Sequence, residues 1–196
     1  MTELILRSPL AGWSASLDEA PDPVFAQRML GDGVLIDPTS DTLCAPCDGE
    51  IISIAASKHA IAIRAENGAE VLMHVGIDTV SLGGDGFILH VTQGARVVAG
   101  AKLLTFDLDL LARKAKSLVT PVIITNIDQF AIVTAHLDRE LSVGEPMMEL
   151  KSLNAASPLS AASPSQQAVE IVRVEHEHGI HARPAALIAN QAKKLA

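Results

Sequence analysis

Up to about residue 150, apolar residues come in short runs that turn-forming residues interrupt. β-rich runs lie at Ile51–Ile54, Ala60–Ile63, Val71–Val75 and Val122–Thr125. Around them stand Gly31-Asp32-Gly33, Asp37-Pro38, Asp48-Gly49, Asn67-Gly68, Gly83-Gly84-Asp85-Gly86, Gly94 and Gly100. Many short strands at this spacing predict an all-β sandwich or barrel. One stretch, Leu108–Lys116, has helical periodicity, with Leu108, Leu111, Ala112 and Ala115 on one face. An internal echo aligns Val97-Val98-Ala99-Gly100-Ala101-Lys102-Leu103-Leu104 with Leu141-Ser142-Val143-Gly144-Glu145-Pro146-Met147-Met148. Each reads as apolar strand, glycine turn, apolar strand, which suggests a duplicated hairpin motif.

The pattern changes at 153–167. This stretch is rich in Ala, Ser and Pro and has no apolar periodicity, so it reads as a tether. Beyond it, Ala168–Val174 reads as a strand, a His-rich loop comes next, and a helix opens at Pro184. The segment 168–196 is shorter than the roughly 40 residues at which pieces fold without staples, and it reads as part of a longer protein. The domains expected are therefore 1–152, a linker over 153–167, and 168–196.

Composition adds three constraints. Hydrophobic residues make up 48% of the chain and aromatics only 3%, so the core should be aliphatic. The net charge of −8, with no Lys/Arg cluster, argues against a nucleic-acid surface. The N-terminus lacks a basic stretch followed by a long apolar run, and no run is long enough for a membrane span, so the expectation is a cytoplasmic protein with no direct membrane insertion. Cys44 and Cys47 are spaced C-x-x-C. A redox site would need the first thiol at a helix N-terminus, and zinc would need a second Cys/His pair. The pair is succeeded by Asp48-Gly49 and a strand, so both cysteines read as packing residues at a strand end.

Candidate chemistry rests on histidine, which is half-charged near neutral pH and, when neutral, can carry phosphate. His74 interrupts the apolar run Val71–Val75 and is followed by Gly76 and Asp78. It reads either as a satisfied core histidine or as a nucleophile, with Asp78 orienting it or its neighbours. His59 precedes the run Ala60–Ile63, and the Asn67-Gly68 turn suits a hairpin that would bring it to His74. One imidazole would then be the nucleophile and the other a donor to phosphoryl oxygens, with Ser57 fixing the tautomer of His59. No Walker-type or dinucleotide glycine loop is present. His59, His74 and Asp78 could alternatively hold a metal, as in a zinc hydrolase. His90 and His136 read as peripheral.

Several stretches resemble one family: Val24–Gly33, Ala45-Pro46-Cys47-Asp48-Gly49, Lys58-His59-Ala60, Met73–Val80, Gly84-Asp85-Gly86-Phe87 and Lys116–Val122. Together they are similar to the IIA component of the glucose family of the bacterial phosphoenolpyruvate-dependent sugar phosphotransferase system. The resemblance implies an antiparallel β-sandwich, phosphate accepted on His74, His59 in support, a hydroxyl at Ser57 and an acidic residue at Asp78. It implies phosphate from HPr, delivery to the IIB/IIC sugar permease, and no required cofactor. Zinc at His59 and His74 in a partner complex, and binding of other proteins by the unphosphorylated form, also belong to that family. The apolar docking face would draw on Val24, Phe25, Leu30, Ile61, Val80 and Phe87.

The segment His178-Gly179-Ile180-His181-Ala182-Arg183-Pro184 resembles the active-site start of HPr, a small α+β phosphocarrier. A histidine just ahead of a helix sets its phosphate against free N–H groups. The resemblance implies that His181 accepts phosphate with Arg183 as its partner, that HPr stands in cis, and that an enzyme I module lies beyond it.

Overall fold

The computed structural model describes residues 3–153. The expected strand-helix segment, with His181 and Arg183, and the expected tether apart from Leu153, lie outside them. In chain order the elements are β1 (Glu3–Arg7), β2 (Gly12–Ser16), α1 (Pro23–Ala26), β3 (Asp32–Pro38), β4 (Thr42–Cys44), β5 (Gly49–Ile54), β6 (Ala60–Ala65) and β7 (Glu70–His74). Then come β8 (Phe87–Leu89), β9 (Arg96–Val97), β10 (Lys102–Phe106), α2 (Leu108–Lys114), β11 (Thr120–Ile124), β12 (Phe130–Ala135), β13 (Arg139–Leu141) and β14 (Pro146–Ser152). Every strand pairing is antiparallel. The eight-stranded sheet runs β13-β2-β3-β11-β7-β6-β5-β9, beside three-stranded sheets β1-β14-β12 and β4-β10-β8. The mostly β, antiparallel architecture agrees with the sequence reading.

Alternation explains where the core sits. On β6 and β7, Ile61, Ile63, Val71 and Met73 are buried in the main aliphatic cluster with Leu6, Val34, Leu104, Val122 and Leu150. The intervening positions on β7 face the other side. There Leu72 packs with a second cluster of Leu17, Ala20, Phe25, Leu35, Ile77 and Ile123. That second cluster is roofed by the chain between β2 and β3. Arg28 ties this roof down through ion pairs to Asp18 and, at 2.8 Å, to Asp32.

Three sequence expectations change. The duplicated motif is not a hairpin. Gly100 and Gly144 both have left-handed φ, +83° and +86°, and Ala101 N–H bonds Val98 O as Glu145 N–H bonds Ser142 O. The strands on either side of each turn do not pair with each other. β9 and β13 sit in the large sheet, whereas β10 and β14 sit in the two small ones. The repeat is a corner that moves the chain between sheets. The helix ends at Lys114, capped by Asp107 at Leu110 N–H, and buries only Leu111, while Ala112 is exposed. Ile61 and Phe87, expected on a docking face, are core residues.

The cysteines behave as packing residues. Both thiols are free and buried, and Cys47 belongs to the main cluster. Burial raises the pKa of Cys44 and pushes that of Cys47 up to about 12.

Gly33 shows how closely the central strands approach. A Cβ there would stand 2.0 Å from the Val122 carbonyl oxygen on β11. Gly33→Ala is expected to cost about 3 kcal/mol and to lower the melting temperature by roughly 6–12 °C. Differential scanning calorimetry of the two proteins checks this.

Candidate functional site

The β6–β7 hairpin places the histidines. Asn67 and Gly68 make its turn, with Gly68 at φ +90° and Asn67 Oδ1 accepting from Ala69 N–H at 3.1 Å. The register sets Ala60 opposite His74, and Val75 N–H continues the ladder to His59 O at 2.8 Å. The two imidazoles meet edge to face with ring centroids 4.6 Å apart. Both are buried, 5% and 7% exposed. The sequence expectation that the hairpin joins them is met.

Each ring has an anchored nitrogen. His74 Nδ1 lies 2.8 Å from Gly76 O; a carbonyl can only accept, so Nδ1 carries the proton and Nε2 keeps its lone pair. His59 Nδ1 lies 2.7 Å from Ser57 Oγ, itself buried. The left-handed Lys58, φ 59°, turns the chain between them.

The Gly76 carbonyl is aimed by a tightly held loop. Gly76 and Asp78 both have left-handed φ, +69° and +61°. Ile77 N–H bonds Ser117 O at 2.8 Å, forming an isolated bridge. Fully buried Thr79 donates its hydroxyl to Val75 O at 2.7 Å. A Cβ on Gly76 would meet the Thr79 methyl at 2.7 Å, so only glycine suits the position.

Asp78 is exposed and its charge acts on His74, whose Nδ1 is held by Gly76 O. Sequence reasoning missed Asp22, Thr79 and the Gly76 carbonyl as the anchor of His74. Asp22, 4% exposed, caps α1 through Oδ1 to Val24 N–H at 2.9 Å. Its signal was the Asp-Pro pair ahead of an apolar turn. α1 in turn sets the Phe25 ring against His74, 5.1 Å between centroids. Of the other docking candidates, Val24 is buried and Leu30 and Val80 are half-buried. His90 lies apart, at the surface, 2.7 Å from Thr105 Oγ1. His136 is half-buried in the link between β12 and β13.

Burial lowers the His74 pKa from the ordinary 6.5, opposed by the carbonyl contacts of Gly76 and its own backbone and by the charges of Asp22 and Asp78. The ring is therefore neutral, and nucleophilic, at neutral pH. Because the folded value lies below the unfolded one, the unfolded chain takes the proton first as pH falls. This contribution to stability is complete above pH 6.5 and is lost as pH drops from there through the folded value. Melting curves at pH 7.5 and 5.5 should show a smaller pH effect for His74→Gln than for the native chain. An equal effect would mean that His74 is not the group responsible.

Among the described residues no three His, Cys, Asp or Glu side chains form a metal-holding group. No helix among them is long and apolar enough to cross a membrane.

Residues 4–130 match the model of the family described as phosphoenolpyruvate-dependent sugar phosphotransferase system, EIIA 1. The glucose-specific EIIA component of Bacillus cereus is 54% identical over 121 residues, which span 62% of this chain and 73% of that protein. A glucose-specific EIIBCA component of Corynebacterium glutamicum is 46% identical over 125 residues, 64% of this chain but 18% of that much longer protein. Glucose permease IIA from Mycoplasma capricolum superposes with a TM-score of 0.73 at 39% identity, covering 76% of this chain and 96% of that one. The chain carries the IIA-glucose fold and belongs to the EIIA 1 family of the sugar phosphotransferase system.

Proposed function

We propose that this chain is a cytoplasmic phosphoryl carrier that accepts phosphate on His74 Nε2 from a phosphohistidine of HPr and passes it to the IIB/IIC sugar permease. The observation that carries this reading is the His74 ring, proton-anchored on Gly76 O with the His59 ring 4.6 Å away. The Nε2 lone pair attacks phosphorus in line, the P–N bond to the donor imidazole breaks, and the donor keeps that electron pair. Nothing else need be made or broken, so positioning and charge do the catalysis. With Ser57 Oγ–H donating to His59 Nδ1, the His59 proton sits on Nε2 and can reach a phosphoryl oxygen. Transfer onward runs the same steps in reverse on the acceptor.

Glucose as the sugar is supported by the naming of the Bacillus and Mycoplasma relatives. A permease as acceptor is supported by the Corynebacterium relative, whose name joins A to B and C units in one chain. His181 and Arg183 are proposed as the acceptor and phosphate partner of an HPr-like unit in cis, behind the 153–167 tether and ahead of an enzyme I module. A tether raises the local concentration of one histidine at the other if it can span them. Zinc would find two imidazole ligands at His59 and His74 and would need its remaining tetrahedral ligands from a partner chain.

The test is intact mass after incubation with phosphoenolpyruvate, enzyme I and HPr. Acid-labile phosphate mapped to the peptide containing His74 supports the carrier. A chain that takes none overturns it.

A further inference from the structure

Lys116 lies beyond α2, is exposed, and belongs to neither histidine loop. Its backbone N–H donates to Ile77 O at 3.1 Å, next to the Ile77 N–H to Ser117 O bond at 2.8 Å. Its main chain is thus part of the strap that pins the loop carrying Gly76. Its ammonium reaches the other way and donates to the carbonyl of Pro21, 95 positions earlier in the sequence. Pro21 stands directly before Asp22, the cap of α1, and α1 sets Phe25 against His74. One residue therefore bonds both pieces that hold the imidazole.

The physical need for such a bond is clear. α1 is a single turn of four residues, far too short to be stable by itself. Arg28 fastens the far end of this segment to Asp18 and Asp32. Lys116 fastens the near end, beside the histidine. Val119, three residues along the strap, packs with Phe25 and Ile77 in the second cluster and completes the junction.

We propose that Lys116 is a positioning residue for phosphoryl transfer. Its bond to Pro21 holds Phe25 and Asp22 against His74, and it acts through that wall rather than on the phosphoryl group. The proposal rests on His74 as the phosphoryl acceptor.

The test uses the full chain with Lys116→Met, which keeps the alkyl stem and loses the donor, and Lys116→Arg, which keeps a donor. The first readout needs no phosphate. In NMR spectra the His74 ring signals should carry a ring-current shift from Phe25, 5.1 Å away between centroids. Lys116→Met should move them towards their positions in Phe25→Ala while the remaining amide spectrum stays that of the native fold, and Lys116→Arg should restore them. The second readout is single-turnover acceptance from saturating phospho-HPr. Lys116→Met should be about tenfold slower with half-saturation unchanged, and Lys116→Arg within about twofold of native. In a Phe25→Ala background Lys116→Met should add less than about twofold. Unmoved His74 signals in Lys116→Met overturn the proposal. So does an undiminished loss in the Phe25→Ala background, or a loss abolished by high salt, since either marks a direct electrostatic role. If the native chain accepts no phosphate at His74, the carrier reading falls, and the ring signals still decide the positioning role.

Discussion

His74→Ala is expected to leave the fold intact and to abolish phosphate on the IIA unit, with the acceptance rate at that position falling at least about 10⁴-fold. The fold survives because β7 is held to β6 and β11 by its backbone ladders, which the substitution leaves in place. The β7 neighbours Met73 and Val71 hold the strand in the main core. Chemistry does not survive, because the lost ring is the one whose Nδ1 is anchored on the Gly76 carbonyl, which leaves its Nε2 lone pair for phosphorus. Phosphopeptide mapping is essential here, since His181 lies in the same chain and is itself a proposed acceptor. Phosphate persisting on the peptide around residue 74 in His74→Ala would move the acceptor to His59 and sink the assignment.

His59→Ala is expected to slow transfer by about 10²–10³-fold without preventing it, the usual cost of one lost donor to developing negative charge. His59 adds no bond to phosphorus in the proposed step; with Ser57 Oγ–H donating to its Nδ1, it offers a proton on Nε2. Ser57→Ala should lose less, because the imidazole stays in place and only its tautomer preference weakens. Rapid-quench transfer from phospho-HPr separates the cases. Native rates in His59→Ala would make that ring a packing partner and nothing more. Loss as complete as in His74→Ala would make it a phosphate carrier in its own right.

How much of this could be read from the chain depended on how local each signal was. The His59–His74 meeting was legible because an Asn-Gly turn and two alternating strands fix a hairpin register without help from the rest of the fold. The packing role of Cys44 and Cys47 was legible for the same reason: the residues after them already specify turn and strand. The Gly76 carbonyl was not legible. Its direction depends on a left-handed pair of residues and on contacts with Ser117 and Thr79 that sequence spacing does not encode. Ile61 was misplaced because it stands one position from Ala60, the residue paired with His74, and so points to the opposite face; Phe87 was misplaced because β8 lies in a small sheet whose partners are set by distant strands. The corner at Gly100 and Gly144 looked like a hairpin because glycine turns share a local signature, and the partner sheet is set by distant strands.

The two buried thiols make the protein its own clock. With Cys47 titrating at about 12, only about one thiol in 10⁵ is ionised at pH 7. A disulfide reagent added to the folded chain must therefore wait for an opening, and its rate counts how often one occurs. Cys44 ends β4 in a small sheet, while Cys47 packs in the main cluster three residues on. If the small sheet frays alone, Cys44 is labelled first; if the domain opens as a unit, both react together.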